Sequence, residues 1–246
     1  MEQHIIRLDE TDSTNNFLRH YNLPADNAMG VAVARHQTAG RGQGSNTWES
    51  EPGKNLLFSV KIKPFDIPIG KQFVLSMTMA IAIKEVLDSY SAGFTLKWPN
   101  DIYWHDYKIS GTLIETTVSG KSLSSCIFGI GIDVNQKLFL SDAPNPISLC
   151  SITGGDEDLD LLLNNILLSF QKYYAILLTQ GTAAIVCMYN DMLYRKFGYH
   201  AYRDANGCFD AKIVRVEDTG TLVLCDTNGT TRRYAFKEVA AILPNK

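Results

Sequence analysis

The chain has 246 residues, 45% hydrophobic and 20% charged, the proportions of a packed chain and long enough to bury a core without disulfide staples. Its net charge of -3 argues against a nucleic-acid backbone as the main partner, because phosphate binding needs a basic face. Cys126, Cys150, Cys187, Cys208 and Cys225 form no CxxC pair and read as reduced, packed thiols of a cytoplasmic protein; the start MEQHIIRLDE lacks the n-region of a signal peptide, and no run of about 18 apolar residues marks a membrane span.

In chain order, His4–Leu8 reads as a short strand, and Asp12-Ser13-Thr14 offers capping oxygens ahead of a helix over Asn16–Tyr21. Gly30–His36 is a buried strand by its small and branched residues, and 38–47 (TAGRGQGSNT) is an aperiodic loop. Asn55–Ile62 is a strand. Lys71–Tyr90 is a helix with one apolar stripe of Phe73, Met77, Ala80 and Ile81. Phe94–Trp98 is a strand stopped by Pro99; Ile102–Trp104 and Lys108–Val118 form a hairpin; Ser122–Val134 is a further strand. Residues 136–157 read as a linker, followed by helices over Leu159–Leu178 and Thr182–Leu193. The first of these carries Leu159, Leu162, Leu163, Ile166, Leu167, Phe170 and Leu177 on one side. Beyond Tyr194 the pattern changes to four or five short strands with turns at 205–207, 218–220 and 227–229, as in a small β-barrel or sandwich. The expected division is 1–194 and 195–246.

Four clusters carry chemistry. Gly40-Arg41-Gly42-Gln43-Gly44 follows a buried strand, and its glycines free backbone N–H groups to approach a phosphate or carboxylate beside one guanidinium. It is neither a P-loop nor a dinucleotide fingerprint, and a plain surface loop is the alternative. In Lys97-Trp98-Pro99-Asn100-Asp101, Lys97 can face a phosphate, Asn100 and Asp101 can hold a ligand or metal or cap the turn, and Trp98 reads as core. Strict alternation from Lys108 places Lys108, Ser110 and Thr112 on one strand face and Ile109, Gly111 and Leu113 on the other, with Gly111 baring the backbone to a flat ligand. Gly129-Ile130-Gly131-Ile132-Asp133-Val134-Asn135 is a similar glycine-opened strand ending in polar side chains.

These clusters, with Asp12-Ser13-Thr14-Asn15, Gln37-Thr38-Ala39, Trp48, Asn55-Leu56 and Leu113-Ile114-Glu115, occur in the order and rough spacing of the biotin protein ligases, which the chain resembles over about residues 8–135. The resemblance implies an α/β (α+β) fold: a mixed sheet flanked by helices, like class II aminoacyl-tRNA synthetases, plus a small C-terminal SH3-like β-barrel. It implies ATP-dependent ligation of biotin, through biotinyl-5'-AMP, to a lysine of a biotin carboxyl carrier protein domain of a biotin-dependent carboxylase. Lipoate ligation and a non-catalytic sensor are the alternatives.

The resemblance also implies roles. Ser13, Thr14, Asn15 and Gln37 meet biotin with Gly40, Arg41, Gly42, Lys108 and Gly111. Arg41, Gln43, Trp48, Asn55, Lys97, Lys108 and Asn135 meet ATP or the adenylate. Lys108 and Arg41 are the expected catalytic residues, and Mg²⁺ travels with the phosphates near Asp101. The sequence departs from the family pattern where Gln43 replaces a basic residue and Asp133 a frequent Asn. Expected partners are the carrier domain and a second copy of the chain through edge strands, with no nucleic acid and no membrane. The chain reads as the short form that starts without an N-terminal DNA-binding domain. Residues 195–246 are either structural or grip ATP or the acceptor.

Overall fold

A computed structural model describes residues 1–246 except 26–27, 45, 65–66, 121, 142–144 and 244–246; Ser45 of the expected loop and Pro144 of the expected linker therefore lie outside the described residues. Among the described residues the order is β1 (Glu2–Thr11), α1 (Thr14–His20), β2 (Ala28–Gln37), β3 (Leu56–Ile62), α2 (Phe73–Asp88), β4 (Phe94–Lys97), β5 (Asp101–Trp104), β6 (Tyr107–Ser119), β7 (Ser122–Ile132), α3 (Leu149–Thr153), α4 (Leu159–Gln180), α5 (Thr182–Asp191), β8 (His200–Asp204), β9 (Gly207–Val216), β10 (Leu222–Asp226), β11 (Thr231–Tyr234) and β12 (Val239–Ala241).

The first seven strands form one mixed sheet in the order β1-β2-β3-β7-β6-β5-β4. Only the β1–β2 pair is parallel among its neighbouring strands. The side-chain period of two sends alternate residues to opposite faces. On β2, Val31 joins the large core with α2, α4 and α5, while Ala32 packs with Leu18 of α1. On β7, Phe128, Ile130 and Ile132 join the same large core, which leaves Gly129 and Gly131 on the α1 side. Lys61 of β3 donates to the carbonyls of Leu18 at 2.9 Å and Tyr21 at 2.6 Å, which sets a cation at the carbonyl end of α1.

The remaining strands form a separate antiparallel sheet, β11-β10-β9-β8-β12. Its attachment is polar as well as apolar. Asn190 of α5 donates to the Val216 carbonyl at 2.9 Å and accepts from the Val216 amide at 2.7 Å. The Trp98 indole donates to the Gly220 carbonyl at 2.9 Å.

Several expectations are corrected. Helix α2 does not bury a single stripe: Ser76, Thr78, Met79 and Ile83 are buried together with Met77 and Ile81, because α4, α5 and the sheet cover it on several sides. Ser13 is the N-cap residue of α1 by position, but its side chain makes no capping bond; Asp12 instead accepts from the Ser13 amide at 2.7 Å and from Asn16 at 2.6 Å. The stretch 136–157 contains α3. Helix α4 is long and apolar enough to cross a membrane by length and composition, although polar residues interrupt it and it holds no unbroken run of 18 apolar ones. Its Leu162, Leu163, Ile166, Leu167 and Phe170 are wholly buried in the core, which accounts for that composition.

Candidate active site

A cavity of ≈ 820 Å³ opens on the α1 side of the mixed sheet, within the size range of small-molecule sites. At one end the hydrogen bonds converge on α1. Gln37 Oε1 accepts from the Thr14 amide at 2.8 Å and the Thr14 hydroxyl at 3.1 Å. The Ser59 hydroxyl donates to Asn15 Oδ1 at 2.6 Å and lies 2.7 Å from Thr14 Oγ1. Glu115 accepts from Asn15 at 3.3 Å and from Arg19 at 3.1 Å, and pairs with Arg41 at 3.3 Å. Ser13, Thr14, Asn15 and Ser59 are all buried, so this end presents a fixed polar pattern.

The floor is made of glycines. A Cβ at Gly129 would lie 2.3 Å from Asn15 Oδ1, and one at Gly131 2.4 Å from Trp48 Cε2. A Cβ at Gly111 would meet Trp48 at 3.1 Å and Lys108 at 3.5 Å. The indole of Trp48 therefore lies flat on β6 and β7, which only glycine permits. Its Nε1 is buried and has no hydrogen-bond partner among the described residues. Gly40 backs the Trp48 carbonyl, where a Cβ would come within 2.8 Å.

The other end is charged. Lys108 pairs with Asp101 at 2.7 Å, and its ammonium lies 5.7 Å from the Trp48 ring. Lys97 stands 5.2 Å over the ring of Tyr103. Burial pushes the Lys97 ammonium below its ordinary pKa, with Asp101 opposing and Lys108 and Arg195 adding repulsion. Burial likewise pushes the Asp133 carboxyl well above the usual carboxylate range, and Lys108 only partly offsets this. Asp133 Oδ1 is buried and has no hydrogen-bond partner among the described residues. Burial raises Glu49 too, but the Ser141 side chain and the amides of Leu140 and Ser141 more than offset it and hold the carboxyl low.

The face assignment of Lys108 needs correction. Ile102 pairs with Ser110 while Tyr103 pairs with Lys108, so Ile109 is an extra residue at a β-bulge. Ile109 enters the core and Ser110 is wholly buried. The bulge returns Lys108 to the cavity face, beside Gly111 and not beside Ser110.

The cavity thus brings together Ser13, Thr14, Asn15, Gln37, Arg41, Gly42, Gln43, Trp48, Lys97, Asp101, Lys108 and Gly111. It does not include Gly40, Asn55 or Asn135 in its lining. Asn55 donates to Gln136 at 2.6 Å and accepts from the Val134 amide at 2.9 Å. Both ends of the Asn135 amide bond the Glu157 backbone, at 2.9 and 2.8 Å. These two side chains brace the wall from behind. Sequence reasoning gave no site role to Ser59, Glu115 or Asp133, nor to Phe236 and Lys237, which line the cavity from beyond β11. Glu115 and Asp133 stood inside the quoted motifs; nothing local marked Ser59 or Lys237.

Comparison with known proteins identifies the family and the fold. Residues 8–133, just over half of the chain, match the model of the biotin/lipoate A/B protein ligase family. The chain is 32% identical over 244 residues to the bifunctional ligase/repressor BirA of Bacillus subtilis, covering 96% of this chain and 73% of that protein. It is 32% identical over 135 residues to the biotin–[acetyl-CoA-carboxylase] ligase of Mycobacterium tuberculosis, covering 52% and 48% of the two chains. Among solved structures, the biotin protein ligase of Aquifex aeolicus in complex with biotin and ATP superposes with a TM-score of 0.79 at 25% identity, over 98% of this chain and 99% of that one. With the fold, the glycine floor and the family match in agreement, the chain belongs to the biotin/lipoate A/B protein ligase family.

Proposed function

We propose that this protein joins biotin to a lysine of a biotin carboxyl carrier domain by way of biotinyl-adenylate. The carrying observation is the bulge that sets Lys108 on the cavity face, between a polar end at Thr14 and Gln37 and a cationic end at Lys97. A carboxylate and a triphosphate repel each other, so a site that joins them needs fixed cations and fixed geometry more than a covalent catalyst. In this reading the Thr14–Gln37–Asn15 network meets the polar ring of biotin. Lys108 neutralises the carboxylate and the α-phosphate, Arg41 closes over both, and Trp48 lies along the nucleotide. The carboxylate oxygen attacks the α-phosphorus, pyrophosphate leaves, and a neutral lysine amine of the acceptor later expels AMP. Residues 1–194 carry this chemistry, and 195–246 complete the nucleotide end.

Among the described residues no group of three or more His, Cys, Asp or Glu side chains could hold a metal ion. Asp101 is already paired with Lys108. The residues do not fit a resident ion; magnesium that arrives on the triphosphate oxygens accords with this.

The test is mass spectrometry of a carrier domain incubated with the protein, ATP, Mg²⁺ and either biotin or lipoate. The reading expects one added biotinyl group on the acceptor lysine. Modification by lipoate alone would overturn the substrate, and an unmodified acceptor in both arms would overturn the activity.

A further inference from the structure

We infer that Lys237, in the turn between β11 and β12, holds the outer phosphates of the bound nucleoside triphosphate, standing in for the cation that the glycine-rich loop lacks. The inference rests on the adenylate-forming reading above. The loop carries neutral Gln43 beyond Arg41, so it offers no second positive side chain of its own. The fold brings one from elsewhere: Lys237 lines the same cavity, and a Cβ at Gly44 would come within 2.5 Å of its Nζ. Gly44 has φ +71, a conformation suited to glycine, which leaves that approach open.

Lys237 differs in its partners from Arg41 and Lys108 of the same cavity. Arg41 faces Glu115 at 3.3 Å and Lys108 faces Asp101 at 2.7 Å. Among the described residues no carboxylate pairs with Lys237; its ammonium lies 5.7 Å from the Phe236 ring. The neighbouring Glu238 carboxylate is engaged by the Ala235 amide at 2.7 Å. Lys237 also has φ 71, rare for a side chain with a Cβ and a form of strain that concentrates at functional positions. An ammonium that no carboxylate compensates suits phosphate oxygens. Adenylation forms a bond from the carboxylate oxygen to the α-phosphorus and breaks the bond from that phosphorus to the bridging oxygen. The electron pair leaves on pyrophosphate, and charge gathers there as the bond breaks, where Lys237 meets it.

The experiment is calorimetric titration of the wild-type protein and of K237Q and K237R, with biotin present. The titrants are α,β-methylene-ATP, inorganic pyrophosphate and AMP. K237Q should weaken the first two by about tenfold and leave AMP unchanged, as expected for one lost charge-assisted contact, and K237R should stay near wild type. Unchanged affinity for the triphosphate analogue in K237Q overturns the inference, as does an equal loss for AMP. An effect confined to the KM of the carrier domain also overturns it. Failure of the underlying reading has a different signature: wild-type protein that binds the triphosphate analogue but shows no biotin-dependent ATP–pyrophosphate exchange.

Discussion

Lys108, Asp101 and Asp133 set the electrostatics of the cavity among three side chains. Removing the Lys108 ammonium leaves Asp101 facing the incoming anions unpaired. K108A should therefore lower biotin-dependent ATP–pyrophosphate exchange by on the order of a hundredfold; an exchange rate near wild type would remove Lys108 from the chemistry. R41A loses the Glu115 tether and one cationic contact. It should release preformed biotinyl-adenylate roughly tenfold faster, read by stopped-flow dilution. Asp133 gives a pH signature. Its pKa is raised by burial, with Lys108 and Glu49 as the charged groups acting on it. The native state then holds more protons than the unfolded chain from the ordinary carboxylate pKa up to the raised value. The stability this group contributes is complete at acid pH and falls as pH rises through that window. D133N abolishes the slope, so it should be more stable than wild type at neutral pH by roughly 1 kcal/mol and gain nothing near the ordinary carboxylate pKa. Urea midpoints at both pH values check this, and an equal gain at the two would count against it. Asp133 was visible in the sequence as a polar end to an apolar strand, but its unpartnered oxygen is a property of the packed wall.

At the scale of the element, β7 places Gly131 under an indole and Gly129 under an amide. G131A should displace Trp48 and cost about 1–3 kcal/mol of stability, as overpacking does. Its tryptophan fluorescence should shift and its KM for ATP rise while biotin affinity holds. An unmoved emission maximum would show that the indole does not rest there. The glycines were legible as sites of close approach, although at Gly111 the sequence suggested a flat ligand where a side chain of the protein, Trp48, approaches. The hairpin of β5 and β6 was equally legible in outline. The bulge at Ile109 was not, because alternation is counted along one strand while a bulge is defined only against its partner. The same limit applies to α2, whose stripe counted correctly at 3.6 residues but whose other faces are covered by α4, α5 and the sheet. Gln37 shows the favourable case: it ends β2, and that position alone carries its carbonyl to α1.

For the whole molecule, the two sheets were foreshadowed by the change of pattern after Tyr194, since hairpin turns leave strong local signals. How the second sheet meets the first was not, because Asn190 and Trp98 make bonds between distant segments. N190A removes both bonds to Val216 and strands that backbone pair. It should destabilise the protein by about 1–3 kcal/mol and speed proteolysis within 200–241 more than within the mixed sheet. Uniform protection in both regions would show that Asn190 does not secure the joint. The placement of Lys237 also bears on synthesis. Every side chain at the Thr14–Gln37 end has left the ribosome by the time Glu115 emerges, whereas the opposite rim of the cavity waits for Lys237. Translation halted between those two points yields a chain that encodes the whole Thr14–Gln37 end of the cavity yet lacks the rim that Lys237 supplies.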